Sequence, residues 1–296
     1  MAKRPTYTDG RLVLGDCLEH VAGLTDNRGP FDLIYVDPPF NTGLVHAARQ
    51  IKGARAQGQS AYNDAWGGLT GFCDMLEPRL RSWHDALAER GSLWLHLDFR
   101  AVHDAKVMAD QIFGTAAFRG EVIWVPGNGA RRKNGPSVTH QTILIYARSA
   151  EFTYNSADPA AREPYAQTSR HMHFRQVDKD GRRYRERKIG GKCYRYYEDT
   201  GRRLGSVWAD CPSMLANTPL VAETSGYPTQ KPLKLLERII RLASHPGDKV
   251  LDPMCGSGTT LVAARHLGRT WVGIDKSPVA IRVAHKRIAT TTIGET

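Results

Sequence analysis

The segment Asp37–Phe40, with the sequence Asp-Pro-Pro-Phe, has the residue types needed to hold an exocyclic amino group. It follows a short apolar run, so it lies where a predicted strand ends. Its two prolines stiffen the turn and remove two backbone donors, which leaves the Asp37 carboxylate and the Pro38 carbonyl as fixed acceptors. An –NH2 group has two N–H bonds to offer them. Phe40 offers a flat face for a base that has left its stack. The alternative is a rigid turn with a capping aspartate, which is a common arrangement.

A second segment, Val250–Thr260, has the pattern of a strand that enters a glycine turn and then a helix. Gly256 and Gly258 would let a ligand approach the backbone closely. The helix N-terminus adds free N–H groups and a partial positive charge, which suit a carboxylate. Leu261 stands where a dinucleotide fingerprint has its third glycine, and no Walker lysine follows. A plain strand–helix turn is the alternative for this loop taken alone.

An acidic residue, Asp275, ends the next apolar run, 23 residues after Asp252. An acid at the tip of a second strand can accept hydrogen bonds from both hydroxyls of a ribose. The glycine turn and this acid together predict a nucleoside cofactor whose other end is not a pyrophosphate. S-adenosyl-L-methionine fits that description, because it has an amino-acid end and no phosphate.

Seven apolar runs alternate with helical patterns, and these elements would have to position the three segments. The predicted strands are 11–14, 32–36, 92–97, 121–125, 142–147, 249–251 and 270–274, and the predicted helices are 69–89, 100–113, 234–243, 259–267 and 278–288. We therefore predict an α/β fold with a doubly wound, mostly parallel, seven-stranded Rossmann-like sheet.

Two segments interrupt this alternation. Residues 41–68 are rich in Gly, Ala, Gln and Arg without a clear period, which predicts a mobile loop. Residues 151–224 lack the strand–helix alternation and are predicted to form an inserted subdomain. The catalytic domain would then consist of residues 1–150 and 225–296.

The net charge of +11 is concentrated in one stretch. Residues 170–203 contain twelve Lys or Arg and five Asp or Glu, a balance of +7. Such density is typical of proteins that bind a polyphosphate such as nucleic acid, although a solvated basic loop is the alternative. The five scattered cysteines form no Cys-x-x-Cys pair, so we expect no metal site and a reducing, cytoplasmic setting. Neither a membrane-spanning run nor a secretory signal is expected.

Three motifs resemble those of one enzyme family, the amino-methylating DNA methyltransferases that use S-adenosyl-L-methionine. The segment Asp37–Gly43 resembles their catalytic motif, Asp252–Thr260 resembles their cofactor loop, and Tyr227–Pro232 is similar to the segment before that loop. The order, with catalytic motif, insert and then cofactor loop, resembles the circularly permuted beta group. The resemblance covers nearly the whole chain except about residues 159–205.

The resemblance implies the methyltransferase version of the predicted sheet, a target-recognition function for the insert, and transfer of a methyl group to a flipped base in double-stranded DNA. It favours adenine N6, because the N4-cytosine subgroup usually has Ser where this chain has Asp37. The implied catalytic residues are Asp37, Pro38, Pro39 and Phe40. The implied cofactor-binding residues are Asp16, Cys17, Asp37, Thr229, Lys231, Asp252, Met254, Cys255, Gly256, Gly258, Thr259 and Asp275. The expected DNA-binding residues are Asn41, His140, Arg170, Arg175, Arg182, Arg183, Arg185, Arg187, Lys188, Lys192 and Arg195.

Some of these assignments have alternatives at the sequence level. Lys231 could equally be a solvent-facing lysine at a helix start, and His140 could equally be a hydrogen-bonded core histidine. Cys255 is not expected to be a nucleophile, because C5-cytosine methylation uses a Pro-Cys dipeptide and this chain has none. It is better explained as a small residue in a tight turn.

Three other functions stay open: an N4-cytosine DNA methyltransferase, an RNA methyltransferase, and a non-catalytic DNA-binding protein that keeps the fold. Dimers are common in the family, so a homodimer and a cognate restriction nuclease stay open as partners alongside DNA.

Overall fold

The structure is a computed structural model that describes residues 7–28, 30–39, 45–47, 60–63, 66–127, 129, 131–214 and 223–292. The chain forms two compact units. The larger unit combines Met1–Tyr154 with Ser206–Thr296, and the smaller unit is Asn155–Gly205.

The helices and strands follow one another along the chain. The first part of the larger unit contains β1 (Gly10–Leu14), α1 (Cys17–Arg28), β2 (Phe31–Val36), β3 (Val45–Ala47), β4 (Ser60–Asn63), α2 (Leu69–Ala86), β5 (Leu87–Leu97), α3 (Val102–Phe113), β6 (Phe118–Trp124) and β7 (Gln141–Ala147). The smaller unit contains β8 (Arg162–Glu163), α4 (Gln167–His173), β9 (Gln176–Val177), β10 (Arg183–Ile189), β11 (Lys192–Tyr197) and β12 (Arg202–Arg203). The larger unit then resumes with β13 (Val207–Trp208), α5 (Leu233–Ala243), β14 (Lys249–Asp252), α6 (Thr259–His266), β15 (Thr270–Asp275) and α7 (Pro278–Ala289).

The larger unit is built on one sheet with the strand order β1-β15-β14-β2-β5-β7-β6-β13. Strand β7 runs antiparallel to both of its neighbours, and the other described pairs in this sheet are parallel. All seven predicted strands are present, which confirms the mostly parallel α/β sheet. The eighth strand, β13, pairs only two residues with β6, too few for a sequence pattern to indicate.

Helices cover both faces of the sheet, as expected for a doubly wound fold. Alternate strand residues such as Ile34 and Val36 join the buried cluster formed with α1, α2 and α3. The intervening residues Leu33 and Tyr35 are equally buried but lie outside that cluster, since successive strand residues point to opposite faces. On the face to which Leu33 and Tyr35 point, helix α5 contacts α6, and α6 contacts α7.

Helix α1 was not predicted from the sequence. Its twelve residues include a glycine and the weak helix formers threonine, aspartate and asparagine, so no clear helical period appears. In the predicted loop 41–68, the described residues include the short antiparallel pair β3–β4. Among the described residues, no helix is long and apolar enough to cross a membrane.

The smaller unit has its own sheets and core. Strands β9, β10 and β11 form a three-stranded antiparallel sheet, and β8 pairs with β12. That second pair joins the two ends of the unit, with Glu163 opposite Arg202 and the Leu204 N–H donating to the Ala161 carbonyl at 2.8 Å. The unit is shorter than the insert expected over 151–224, because Val207–Trp208 belongs to the large sheet.

Candidate active site

Four acidic residues lie where four neighbouring parallel strands end. Asp16 follows β1, Asp275 ends β15, Asp252 ends β14 and Asp37 follows β2. Because parallel strands end at one edge of a sheet, all four side chains border the same cavity of about 480 Å³. That volume is in the range of small-molecule sites.

A tight turn between β14 and α6 forms one wall of this cavity. Gly256 (φ 49°) and Gly258 (φ 75°) both have left-handed backbone, which glycine adopts without strain. A Cβ atom on Gly258 would lie 2.7 Å from the Ala284 Cβ, so helix α7 packs directly against the turn. The Cys255 N–H donates to the Ile274 carbonyl at 2.9 Å and ties the turn to β15.

The Asp275 carboxylate organises the end of β15. It accepts hydrogen bonds from the Gly256 N–H at 2.8 Å and from the Ser277 N–H at 2.7 Å. Burial raises the pKa of Asp275, while those two backbone donors oppose the rise. The carboxylate therefore holds the glycine turn in place and also borders the cavity.

Asp252 is a buried carboxyl group at the end of β14. The Thr260 hydroxyl donates to its Oδ2 at 2.5 Å, and the Met254 N–H donates to its Oδ1 at 3.2 Å. Burial raises the pKa of Asp252 to about 7, because two donors do not replace the lost hydration of a charged group. Its charge state is therefore balanced near neutral pH.

The motif aspartate is ion-paired within the cavity. Lys231 Nζ contacts Asp37 Oδ2, and the two side chains are 8% and 19% exposed. Lys231 is therefore buried and not the solvent-facing lysine that the sequence left open. Two residues earlier, Thr229 also has left-handed backbone (φ 57°), which for a β-branched residue marks local strain. The segment before α5 thus places the lysine against Asp37.

Asp16 forms an ion cluster that the sequence did not reveal. Arg79 of α2 donates to both Asp16 oxygens, at 2.9 and 2.8 Å, and Lys276 Nζ lies 2.6 Å from Oδ2. Burial alone would raise the pKa of Asp16, but Lys276, the Leu18 N–H and Arg79 together lower it to about 2. Lys276 follows Asp275 directly and could have been suspected. Arg79 lies 63 residues away, inside a helical pattern that gives no sign of its direction.

A buried pair, Tyr35 on β2 and His96 on β5, lies close to Asp37. The Tyr35 hydroxyl is 2.8 Å from His96 Nδ1, and His96 packs edge-on against Trp124 with ring centroids 5.4 Å apart. Burial, followed by the positive charge of Lys231, holds the pKa of His96 well below its usual range. The imidazole is therefore neutral, and Tyr35 presents part of the cavity wall.

Cys255 is buried in the turn. Burial raises the pKa of its thiol well above the usual range, with Asp275 and Asp252 adding to the rise. Its sulfur would lie 3.2 Å from a Cβ atom on Gly273, so the side chain fills the space against β15. A protonated thiol in this position fits a packing function and not a nucleophile.

Most of the predicted cofactor-binding residues meet at this cavity. It is lined by Asp16, Cys17, Asp37, Thr229, Lys231, Asp252, Met254, Cys255, Gly256, Thr259 and Asp275. Gly258 shapes the turn without bordering the cavity. Among the predicted catalytic residues, Asp37, Pro38 and Pro39 line it. Phe40 and Asn41 lie outside the described residues. His140 is exposed and does not border the cavity.

The family model for DNA methylases, the N6/N4 group, matches residues 31–286 of this chain. The chain belongs to the N6/N4 DNA methylase family. Two curated relatives are similar over most of its length. The Type II methyltransferase M.EcaI of Enterobacter cloacae is 27% identical, across 87% of this chain. The DNA adenine methyltransferase YhdJ of Escherichia coli (strain K12) is 26% identical, across 94% of this chain. The chain spans 64% of the length of M.EcaI and 82% of YhdJ.

Solved structures share the fold of this N6/N4 DNA methylase. The M1.HpyAVI–SAM complex matches with a TM-score of 0.54 at 17% identity, covering 94% of this chain and 99% of that one. The PvuII DNA methyltransferase, which is cytosine-N4-specific, matches with a TM-score of 0.57 at 16% identity, covering 95% and 87%. These matches establish that the sheet, with its antiparallel β7, is a methyltransferase fold.

In this N6/N4 DNA methylase, one group of the basic residues predicted to bind DNA is engaged within the smaller unit. Arg170 contacts Glu198, Arg182 donates twice to Asp199 at 2.8 and 2.7 Å, and Arg195 donates twice to Glu186 at 3.2 and 2.9 Å. Arg183 donates to the Phe174 carbonyl, and Arg185 lies over the rings of Tyr165, Phe174 and Tyr196. These five arginines contribute to the fold of the unit.

The second group of predicted DNA-binding residues is exposed. Arg175, Arg187, Lys188 and Lys192 form no ion pair with any residue that the structure describes. Their charges are therefore available to a partner. Among the described residues, no cluster of His, Cys, Asp and Glu has the arrangement of a metal site.

Proposed function

We propose that this chain transfers a methyl group from S-adenosyl-L-methionine to adenine N6 in double-stranded DNA. The observation that carries the proposal is the position of Asp37. Asp37 directly follows strand β2, and it borders the same cavity as the glycine turn and Asp275 on the neighbouring strands. Membership of the N6/N4 DNA methylase family supports an amino group as the acceptor.

The residues that line the cavity fit S-adenosyl-L-methionine. Asp275 ends β15 with a carboxylate suited to a ribose, and the left-handed turn brings the backbone of Gly256 to the cavity wall. The amino-acid end of the cofactor has a carboxylate and an ammonium group. Lys231 is a cation suited to the carboxylate, and Asp252 is a carboxyl group suited to the ammonium. When bound, the cofactor supplies a methyl group already activated on a sulfonium.

The protein's own contribution is to position the amine. The Asp37 carboxylate and the Pro38 carbonyl accept its two N–H bonds and fix the direction of the nitrogen lone pair. The Lys231 contact to Oδ2 holds the carboxylate in place as the base enters, and the carboxylate still has acceptor positions for an N–H of the amine. The nitrogen must lose one proton after methylation, and the hydrogen bond to the Asp37 carboxylate gives that proton a direct path.

Access to the amine requires the base to leave the duplex, because a stacked base cannot present its nitrogen inside a cavity. Phe40 is proposed as the face on which the flipped base stacks. The basic smaller unit is proposed as the target-recognition region. Adenine is favoured over cytosine N4 by Asp37 at the first motif position, and YhdJ is a relative named for adenine.

The test is to express the chain in a bacterium that lacks DNA methylation and to sequence native DNA with modification detection. We expect N6-methyladenine at one short motif with the wild type and none with Asp37→Ala. The Asp37→Ala variant should still bind the cofactor in calorimetry, because Asp275 and the turn are intact. The matched control is Asp85→Ala, since Asp85 is an exposed residue of α2 with a side chain 79% exposed.

Three outcomes would correct the proposal. N4-methylcytosine would transfer it to the cytosine branch, and methylated RNA without methylated DNA would change the substrate. Methylation by Asp37→Ala at wild-type level would remove Asp37 from the mechanism.

A further inference from the structure

The β10–β11 hairpin of the smaller unit projects beyond its own sheet. Strand β9 pairs only with Arg183 and Tyr184, so from Arg185 onward the hairpin is a ribbon of two strands. The ribbon continues to the pair Ile189–Lys192, a length of about 16 Å at the rise of a β-strand. Gly190 (φ 56°) and Gly191 (φ 78°) close it with two left-handed residues, as a tight hairpin turn requires.

The base of the hairpin is held by the engaged arginines. The rings of Tyr165 and Phe174 lie 4.6 Å apart, Phe174 is fully buried, and Arg185 covers both rings. Arg182 and Arg195 each form a double hydrogen bond with an acid and also lie over a tyrosine ring. These contacts use the acids Glu186 and Asp199, and Arg170 and Arg183 contact a third acid, Glu198, so the base of the ribbon is firmly supported.

The hairpin tip, defined as residues 187–194, has a different character. It contains no acidic residue and three cations, Arg187, Lys188 and Lys192, all exposed. Two large apolar side chains are also exposed there, Ile189 at 55% and Tyr194 at 44%.

Strand alternation divides the tip into two faces. Arg187 is opposite Tyr194, and Ile189 is opposite Lys192, so these four side chains share one face. Lys188 lies on the other face, opposite Cys193. One face thus combines two cations with two apolar side chains, and the other adds a third cation.

We propose that the hairpin tip enters the major groove of duplex DNA. A two-stranded ribbon fits a groove about 12 Å wide, and the long side chains of its three cations can reach sideways to the phosphates that border the groove. Ile189 and Tyr194 then face the base edges, where apolar side chains contact thymine methyl groups. The inference rests on the proposed function. It assigns the contacts with the DNA phosphates to three residues of the basic segment, Arg187, Lys188 and Lys192.

The experiment compares two triple variants that change the net charge by the same amount. The tip variant is Arg187→Ala/Lys188→Ala/Lys192→Ala. The control variant is Arg11→Ala/Arg241→Ala/Lys286→Ala, three exposed residues on β1, α5 and α7. These positions lie toward the amino edge of the large sheet, opposite the cavity, because β1 starts there and the two helices end there. Both variants remove three positive charges.

The measured quantity is the slope of log Kd against log salt concentration for a short random-sequence DNA duplex, by fluorescence anisotropy. We expect the tip variant to lose about 2 to 3 from the magnitude of the slope, since each phosphate contact contributes about 0.9. The control variant should keep the wild-type slope. Both should keep the wild-type Tm and the wild-type Kd for S-adenosyl-L-methionine.

A second pair of substitutions, Ile189→Ser/Tyr194→Ser, tests the base-edge contact. We expect it to keep the salt slope and to lower the preference for the methylated motif over random DNA. An unchanged preference would overturn that part of the proposal.

Other results separate the two levels of inference. If the wild type methylates DNA and the tip variant has the same salt slope as the control variant, only the hairpin assignment is overturned. A wild type that neither methylates DNA nor binds it in a salt-dependent way overturns the proposed function together with the hairpin. An equal loss of slope on duplex RNA, whose major groove is too narrow for side chains to read, overturns the major-groove geometry.

Discussion

At the scale of single residues, the contact between Asp37 and Lys231 is the feature on which the proposed chemistry depends. Both side chains are mostly buried, so each one compensates a charge that would otherwise be costly. Asp37 is thus held in one orientation before any substrate arrives. Lys231 in turn holds its positive charge at the cavity, where an anionic ligand group could replace Asp37 as its partner.

The pairing energy can be measured with Asp37→Asn, Lys231→Met and the double variant. Each single change leaves one buried charge without its partner and should lower the free energy of unfolding by about 3 kcal/mol. The double variant should lose less than the sum of the two, because no unpaired charge remains. Urea denaturation without cofactor provides the measurement, and additive losses would show that the two side chains act independently.

The raised pKa of Asp252 leads to a dependence of stability on pH. Its folded pKa is about 7 against an ordinary 3.8, so between these values the unfolded chain carries the charge and the folded chain does not. The contribution of the protonated Asp252 carboxyl group to the free energy of unfolding is fully present below pH 3.8 and is lost as pH rises to about 7. The variant Asp252→Asn has no such loss.

We therefore expect the stability of Asp252→Asn relative to the wild type to increase from pH 4.5 to pH 7, by up to about 1.4 kcal/mol per pH unit. Above pH 7 the difference should level off. Paired urea titrations across this range give the measurement. A constant difference would mean that Asp252 is ionised in the folded protein.

At the scale of elements, the turn between β14 and α6 connects sequence to site most directly. Its two glycines were recognisable because a ligand-binding turn needs left-handed backbone at fixed positions after a strand. The structure adds a packing reason for Gly258, since the Ala284 Cβ leaves no space for a side chain.

The variant Gly258→Ala tests both reasons together. We expect a loss of about 1 to 3 kcal/mol in unfolding free energy, from left-handed strain and the 2.7 Å contact, together with weaker cofactor binding. The matched control is Gly268→Ala, which has a similar φ of 70° but open space around it. It should show the strain without the contact and should leave cofactor binding unchanged. Equal effects of the two variants on binding would contradict the packing argument.

The strands and the acidic residues that follow them were both predictable from the places where apolar runs stop. An apolar run that stops at an acid or a glycine marks a strand end, and Asp37, Asp252 and Asp275 all follow such runs. Contacts between distant parts of the chain were not predictable. Arg79 reaches Asp16 across 63 residues, and Lys231 reaches Asp37 across 194, with no local pattern in either case. The sequence also did not show which basic residues are engaged within the smaller unit and which are exposed, because a charge count does not show which arginine contacts which acid.

At the scale of the whole molecule, the ends of the smaller unit lie side by side. Strands β8 and β12 pair directly, so the chain leaves and returns through one short two-stranded ladder. The ring pair Tyr165–Phe174 and the hairpin all lie between these two strands. The ring pair and the hairpin are therefore formed by residues that follow β8 and precede β12 in the sequence.

Replacing residues 164–201 by a short Gly-Ser linker should leave the larger unit folded. The ladder ends are already adjacent, so a short loop closes them at lower entropic cost than the original segment. We expect unchanged cofactor affinity in calorimetry and loss of DNA methylation. Loss of cofactor binding would show that the larger unit depends on the removed segment, and methylation that persists would place target recognition elsewhere.

The pairing of β8 with β12 also affects how the sequence of such a protein can change during evolution. A segment whose two ends are paired with each other can lengthen, shorten or be exchanged while that pairing is kept. If the smaller unit is the target-recognition region, as proposed, one recombination event with breakpoints near Arg162 and Arg203 exchanges the DNA preference and leaves the residues of the cavity unchanged. Diversity among descendants should accordingly concentrate between those two breakpoints and be sparse among the four strand-end acids.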